Sequence, residues 1–226
     1  MRDLFTSFKD NCGFGLLASI DNTPSHKNLE DAITSLSRMM HRGAIAADGK
    51  TGDGSGLLLS LPKSFFNKEA ASNGVELPET YAVAMVFSNN ETDFDVINGV
   101  CENNDLKVLY TRTLPVDTNA LGEQALVSLP TIKQVFVAPK GAVAANRFEA
   151  LVYLSRKEIE AELIEDNTFY IPSFSTSVVS YKGLVMPTHI KEFYKDLANE
   201  DFEISFCLFH QRFSTNTLPE WKLAQP

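Results

Sequence analysis

Short apolar runs that follow one another along the chain constrain its fold more than any other feature. Turn-forming or charged residues bound each run, a pattern that predicts β-strands. The runs lie at 13–20, 56–62, 81–88, 106–113, 131–138 and 202–210, with two more inside 169–183. Because strands follow strands here, the order predicts an α+β fold built on antiparallel sheets, and not a doubly wound parallel sheet.

Helical spacing of apolar residues is found in only a few segments. The clearest covers 26–40, where Leu29, Ile33, Leu36 and Met40 share one face and Ser25 precedes as an N-cap. Further helices are predicted at 93–102 and 146–164, with a short one at 187–194. We see no internal repeat and no linker, so the chain is expected to form one folded unit.

Composition and charge exclude several classes of function. The chain has 226 residues, of which 44% are hydrophobic and 22% are charged, as in ordinary globular proteins. Its formal charge of −9 argues against nucleic acid or an anionic membrane as the principal partner. No apolar run reaches the roughly 20 residues of a membrane-spanning helix, and the first residues do not resemble a secretory signal. We therefore expect an intracellular, cytoplasmic protein.

The three cysteines are Cys12, Cys101 and Cys207. An odd number spread over a long chain is not a disulfide framework, and CxxC spacing is missing, so we predict reduced thiols and no metal in this segment. Cys101 falls on the apolar face of a helix, and Cys207 alternates within a strand, so both are expected in the core. Cys12 alone has the pattern of a small buried residue entering a strand.

The glycine-rich segment 41–56 is similar to two nucleotide-binding motifs without matching either. Five residues separate Gly43 from Gly49, where the phosphate-binding GxxxxGK[ST] loop has four. Gly52, Gly54 and Gly56 do not have GxGxxG spacing, and a predicted strand follows them instead of the helix that would hold the phosphates. Nucleotide binding is therefore not expected.

Four separated segments carry a pattern that covers nearly the whole chain. They are NCGFGLLASI at 11–20, HRGAIAADGKTGDGSG at 41–56, FSTSVVSYKGLVMP at 174–187 and HQRFSTNTLPEWKLAQP at 210–226. Together they resemble the glutamine amidotransferase domain of glutamate synthase large subunits. The resemblance implies the fold of N-terminal-nucleophile (Ntn) hydrolases, an αββα sandwich of antiparallel sheets flanked by helices.

The resemblance also implies that Cys12 is the catalytic nucleophile and that its own α-amine is the base. Both groups have a pKa of about 8 to 8.5 when unperturbed, so a proton passes easily between them. An amide nitrogen is no base at neutral pH, so the bond between Asn11 and Cys12 must be cut. We therefore expect residues 1–11 to be a propeptide and residues 12–226 to belong to the amidotransferase domain.

Matching the HQRFSTNT motif makes Arg212 the candidate that binds the α-carboxylate of glutamine, because a guanidinium offers two parallel hydrogen bonds. Ser214, Thr215 and Asn216 are candidates for neutral hydrogen bonds to the substrate, with Thr215 the strongest of them. Arg42 matches a family active-site position, and an equally good reading makes it a cation placed near the C-terminus of a helix.

Three further residues near these motifs have a structural interpretation. His41 and His210 flank the two arginines, but a cysteine–histidine pair is unnecessary if the terminal amine is the base. Trp221 is expected to be a packing residue near the site.

The family pattern extends beyond Pro226 to an Asn-Gly motif that supplies the oxyanion hole, and further to an aspartate that binds the substrate ammonium group. The resemblance thus implies a C-terminally incomplete domain with weak activity by itself. In the full enzyme, ammonia would pass through a tunnel to synthase domains of the same polypeptide that hold FMN and an iron–sulfur cluster and aminate 2-oxoglutarate. The resemblance also implies a small electron-donating subunit as a partner. No cofactor is expected within this segment.

Two alternatives remain open at this point. The chain would also suit another class II amidotransferase, such as an asparagine-synthetase-like enzyme, although the ADGKTGDGSG segment argues against it. A non-catalytic regulatory or interaction domain of the same fold is the other. Hydrolysis of L-glutamine discriminates between these readings.

Overall fold

Two antiparallel four-stranded sheets form the framework of the protein in the computed structural model, which describes residues 12–214 and 217–226. The strands are β1 (Gly13–Ala18), β2 (Ser55–Ser60), β3 (Ala82–Ser88), β4 (Leu106–Thr113), β5 (Thr131–Pro139), β6 (Tyr170–Ser175), β7 (Val178–Gly183) and β8 (Phe206–Gln211). The helices are α1 (His26–Arg38), α2 (Lys63–Ser72), α3 (Asp93–Asn103), α4 (Glu123–Val127), α5 (Ala145–Glu162) and α6 (Ile190–Phe193).

The first sheet has the strand order β1-β8-β2-β7. On one face Leu57 pairs in register with Phe209 on one side and with Tyr181 on the other, and all three side chains are buried. The opposite face carries Phe14 and Leu16, which are 74% and 68% exposed. Alternation along each strand therefore separates a buried face from a face that is partly open.

The second sheet has the order β4-β5-β3-β6. Its strands and the two helices that pack on it follow one another as β3-α3-β4-β5-α5-β6, with the short α4 in the connection from β4 to β5. This is the βαββαβ connectivity of ferredoxin-like units. Helices α3 and α5 pack on one face of this sheet and enclose a small core around Val137, Phe148 and Val152. The sequence had not indicated that this stretch is a unit with its own connectivity.

A larger core joins the two sheets. It combines the buried face of the first sheet with the second sheet's remaining face, represented by Met85, Phe87 and Phe136. Helix α1 contributes its apolar stripe to the same core and packs against β1 and β8. Its first turn is capped by Ser25, whose Oγ accepts a hydrogen bond from the amide of Asn28 at 3.2 Å, as the sequence predicted. The fold is α+β, with two antiparallel sheets flanked by helices, as expected for the Ntn-hydrolase type.

Most predicted elements are present, with differences at their ends. The strands predicted at 106–113 and 131–138 match β4 and β5 to within one residue. The first predicted helix ends at Arg38 and not at residue 40, because a separate 3₁₀ turn (Met40–Arg42) follows it. The strand predicted at 202–210 was too long, since β8 begins only at Phe206. Among the described residues, no helix combines the length and apolar character needed to cross a membrane.

A buried ion pair links the second sheet to the segment after α6. Arg112 and Asp196 are 7% and 5% exposed, and both guanidinium ends of Arg112 donate to the carboxylate of Asp196. The hydroxyl of Tyr181 donates to the same carboxylate at 2.8 Å, and Nε of Arg112 donates to Gln134 Oε1 at 2.9 Å. The buried polar side chains of this cluster therefore satisfy one another's hydrogen bonds, and the loss of one leaves its partners unsatisfied.

Removing one partner of this pair is expected to destabilise the fold strongly. Asp196→Ala leaves the Arg112 guanidinium buried without its bidentate partner, and we expect a loss of about 3–5 kcal/mol in the free energy of unfolding. Urea denaturation measures it. The matched control is Asp201→Ala, which removes an exposed pair with Lys68 and should cost less than about 1 kcal/mol. Equal losses in the two variants would contradict this account.

Candidate functional site

The register of the first sheet brings three distant motifs to one point. Gln211 at the end of β8 pairs with Gly13 at the start of β1 and with Ser55 at the start of β2. The residues just outside these ends, Cys12 and Arg212 among them, must therefore lie side by side. The NCG, DGSG and HQRFS motifs meet at this edge of the sheet because of strand pairing alone.

Cys12 is the one cysteine with access to this edge. The backbone amide of Phe213 donates a hydrogen bond to its Sγ at 3.4 Å, and Sγ lies 3.9 Å from the Phe213 carbonyl oxygen. Cys101 and Cys207 are fully buried, and burial raises the pKa of each thiol to about 12. They are core residues, as predicted, and remain protonated at neutral pH. Cys12 is only partly buried.

Arg212 follows β8 and is 9% exposed. Its Nη1 donates to the backbone carbonyl of Asp53 at 3.2 Å and its Nη2 donates to Thr217 Oγ1 at 2.5 Å. Within the part of the chain that is described, no carboxylate oxygen lies within 4 Å of this guanidinium. A buried cation with neutral partners only is suited to an anionic ligand, because its charge is not yet compensated.

Asp53 belongs to this site, although the sequence reasoning did not single it out. It is 7% exposed, and its Oδ2 accepts a hydrogen bond from the amide of Ser214 at 2.6 Å. The hydroxyl of Ser214 is buried and has no partner among the described residues. An acidic residue set between glycines immediately before a buried strand was the signal that would have identified Asp53. It fixes the backbone that follows Arg212.

Arg42 lies at the end of the 3₁₀ turn, outside α1, and its side chain is exposed. A shallow surface recess is lined by Cys12, Gly13, Phe14, Met39, His41 and Arg42. The next residue, Gly43, approaches Gln211 so closely that a Cβ there would lie 1.8 Å from its Nε2. The structure thus places Arg42 beside Cys12. The alternative prediction made Arg42 a cation at the C-terminus of α1, but α1 ends at Arg38, one turn before it.

A second cavity, of about 510 Å³, opens on the other side of the nucleophile and is lined by Cys12, Phe14, Leu208, His210, Gln225 and Pro226. Burial, and secondarily the charge of Arg212, lowers the pKa of His210, so its ring is neutral at neutral pH. His41 is exposed, and its Nδ1 lies 3.1 Å from the carbonyl oxygen of Arg38.

Two predicted site residues, Thr215 and Asn216, lie outside the described residues, as does the 1–11 segment. Ser214 is present at the site through its backbone amide. Trp221 is a packing residue, as predicted: it is 5% exposed and contacts the rings of Phe87 and Phe193.

The glycine-rich segment is ordered by a turn and continues into β2, not into a helix. The carboxylate of Asp48 accepts hydrogen bonds from the amides of Lys50 and Thr51 and from the more distant amide of Gln124. These bonds lower the pKa of Asp48 well below its ordinary value, with the Thr51 hydroxyl the largest cause. The loop is therefore fixed in place next to α4.

Metal-ligating residues do not converge in the described part of the chain. No group of three or more histidine, cysteine, aspartate or glutamate side chains is arranged there to hold a metal ion. Cys101 and Cys207 belong to different cores. These residues do not fit an iron–sulfur cluster, so no step of the chemistry below involves one.

Comparison with known proteins gives a consistent result. The model of the class-II glutamine amidotransferases matches residues 12–226. The glutamate synthase [NADPH] large chain of Bacillus subtilis is 37% identical over 224 residues, which is 96% of this chain and 15% of that protein. The ferredoxin-dependent glutamate synthase of Cyanidium caldarium is 37% identical over 231 residues, covering 96% and 15%.

A third relative has the same pattern of coverage. The ferredoxin-dependent glutamate synthase 1 of Arabidopsis thaliana is 38% identical over 226 residues, or 95% of this chain and 14% of that protein. The chain thus spans about 15% of the length of the curated relatives it matches.

Proposed function

The chain belongs to the class-II glutamine amidotransferases, and from this premise we propose that it hydrolyses the side-chain amide of L-glutamine with Cys12 as the nucleophile. One observation carries the proposal. Strand pairing sets the sulfur of Cys12 against the amide of Phe213, directly after a buried Arg212 for which the described residues offer no carboxylate partner. A nucleophile and a site for an anionic substrate group are thus adjacent.

The reaction proceeds through a thioester. The sulfur of Cys12 attacks the amide carbon of glutamine, and the thiol proton moves to the α-amine of the same residue. The C–N bond then breaks, and ammonia leaves with the proton that the amine returns. Water hydrolyses the thioester to glutamate and restores the thiol. The amide of Phe213 donates a hydrogen bond to Sγ at 3.4 Å and so helps to orient the sulfur that attacks.

Substrate orientation is assigned to Arg212. Its two hydrogen bonds to Asp53 O and Thr217 Oγ1 hold the guanidinium in one orientation. A guanidinium has five N–H donors, so further donors remain for a bidentate bond to the α-carboxylate. Arg42, Ser214, Thr215 and Asn216 remain proposed contacts of the substrate or of the nucleophile's amine.

Maturation is part of the proposal. Residues 1–11 act as a propeptide, and residues 12–226 form the amidotransferase unit. The family match begins at Cys12, which supports cleavage before that residue. Cleavage supplies the α-amine that the mechanism needs as its base.

The activity of the whole polypeptide is proposed by analogy with the relatives. These relatives are named as NADPH-, NADH- or ferredoxin-dependent glutamate synthases. We propose that the ammonia released here passes to synthase domains of the same polypeptide, which hold FMN and an iron–sulfur cluster and aminate 2-oxoglutarate. A small electron-donating subunit is a further proposed partner. The cytoplasm is the proposed compartment, since all three cysteines are free thiols.

Arg212→Lys tests the substrate assignment. A lysine keeps the charge and loses the planar pair of donors, so we expect the KM for L-glutamine to rise about 10- to 100-fold, which corresponds to about 1.5–3 kcal/mol. Steady-state glutamine hydrolysis gives this value. Arg38→Lys, at an exposed position in the last turn of α1, is the matched control and should leave KM unchanged. An unaltered KM in Arg212→Lys at an unaltered thermal midpoint would remove Arg212 from the site.

A further inference from the structure

Lys182, in β7, is a buried cation that the proposed chemistry does not use. It is 3% exposed, and its Nζ donates to the carbonyl oxygens of Ala224 at 2.6 Å and Lys222 at 3.1 Å. It also donates to the hydroxyl of Tyr170 at 3.2 Å and lies 4.5 Å from the centre of that ring. In the described part of the chain no carboxylate pairs with it, and burial lowers its pKa to about 8. Such a group is costly to bury, so a stability role alone does not account for it.

The position of Lys182 in the sheet connects it to the nucleophile. Phe14 pairs with His210, His210 with Gly56, and Gly56 with Lys182, so these four residues form one row across β1, β8, β2 and β7. Directly paired residues project from the same face of a sheet. Lys182 therefore lies on the face that carries Phe14 and His210, which line the larger cavity at Cys12.

The segment from Ala224 to Pro226 lies on this row. A Cβ at Gly56 would come within 2.6 Å of the carbonyl oxygen of Gln225, so the segment rests directly on the backbone of β2. Ser180 Oγ donates to the carbonyl oxygen of Pro226 at 3.1 Å. Lys182 and Ser180 thus anchor both ends of the segment, while Gly56 leaves the space for its middle.

Gln225 and Pro226 form one wall of the cavity that contains Cys12. The bonds from Lys182 and Ser180 hold the backbone of this wall, together with the buried side chain of Ala224 that packs against Gly54.

We propose that Lys182 is a positioning residue for glutamine hydrolysis: its ammonium group holds the Lys222–Pro226 backbone so that Gln225 and Pro226 close the substrate cavity beside Cys12. This role rests on the proposed function of the site. It makes Lys182 one of the residues that convert a cleft at the sheet edge into a cavity of defined width.

Lys182→Met in the natural full-length protein tests the role. Methionine fills nearly the same volume but has no hydrogen-bond donor. We expect kcat/KM for L-glutamine to fall about 10- to 100-fold, because a shift of about 1 Å in the position of a substrate can reduce the rate by that factor. The thermal midpoint should fall only slightly, because the relief of desolvating an ammonium group and the loss of its bonds to two carbonyl oxygens oppose each other. Amide hydrogen exchange should become faster at Leu223, Ala224 and Gln225. Alkylation of Cys12 by iodoacetamide should keep its rate, since this small reagent needs no closed cavity.

Controls separate the possible outcomes. Lys133→Met replaces a lysine of the second sheet that pairs with Glu91, and it should change none of these readouts. Lys182→Gln keeps an uncharged NH₂ group that can donate, so it should restore part of kcat/KM. It replaces Lys182→Met if that variant does not fold. Wild-type kcat/KM in both Lys182 variants would overturn the proposal, and so would unchanged exchange at Leu223–Gln225. If the wild-type protein hydrolyses no glutamine, the proposed function fails, while the exchange measurement still decides whether Lys182 holds the segment.

Discussion

Cys12→Ala is expected to reduce glutamine hydrolysis at least about a thousandfold, because it removes the sulfur atom that forms the thioester. The change deletes one sulfur from a partly buried position, so the fold should be retained. In the natural full-length protein, any formation of glutamate from free ammonia should continue, since that reaction does not need the thioester. The two rates are measured on the same preparation, with glutamine or with an ammonium salt as the nitrogen source.

Cys101→Ala is the matched control for this experiment. Cys101 is also a free thiol, but it is fully buried in the core between the second sheet and its helices. Its loss should cost some stability and leave the kcat for glutamine unchanged. A glutamine-like diazoketone alkylates a thiol with loss of N₂, so it should add its mass less that of N₂ to the wild type and to Cys101→Ala but not to Cys12→Ala. Substantial glutaminase activity in Cys12→Ala would disprove the assignment of the nucleophile.

Glutaminase activity also separates the alternative readings of the chain. A non-catalytic domain of the same fold would bind or assemble without turnover, so Cys12→Ala and the wild type would then behave alike. The relatives that match the chain are named as glutamate synthases, which supports the glutamate synthase reading over another class II amidotransferase.

The sequence was informative about strands and caps because those depend on local patterns. β4 was predicted at its observed bounds because turn-forming residues enclose its apolar run, and α1 begins at its predicted residue because Ser25 caps it. The end of α1 was missed by two residues, since nothing local distinguishes a last α-helical turn from the 3₁₀ turn that follows. Helices α2 and α4 were not predicted individually, because α2 is only weakly amphipathic and α4 has five residues, too few for helical spacing to show.

The connectivity of the strands and the residues of the site were harder to predict from the sequence. The ferredoxin-like order of the second sheet depends on which strands pair, and pairing over long sequence separations is not encoded in any short window. The meeting of Cys12 with Arg212 was expected only from a family resemblance, and the Gly13–Gln211 register now gives its physical cause. Asp53 and Lys182 were missed because their roles depend on backbone groups far along the chain, Ser214 N and Ala224 O.

A single glycine placed before Cys12 is expected to remove most of the activity. Two variants that lack residues 1–11 make the comparison: one begins Met-Cys12 and the other Met-Gly-Cys12. Removal of the initiator methionine frees the α-amine of Cys12 in the first variant, whereas the second keeps that nitrogen as an amide. Positioned general bases contribute about 10²- to 10⁴-fold, so we expect kcat for glutamine hydrolysis to differ by that factor. Intact mass measurement confirms which N-terminus each preparation carries.

The outcome of this comparison locates the base. The two proteins share every side chain, so equal thermal midpoints would show that a difference in kcat arises from the amine and not from the fold. Equal kcat values with the glycine retained would place the base elsewhere, and His210 would be the first candidate. Its neutral ring lines the cavity at Cys12, and its buried Nδ1 has no partner among the described residues. In that case His210→Gln would abolish turnover in both variants, whereas under the amine mechanism it would leave the difference between them intact.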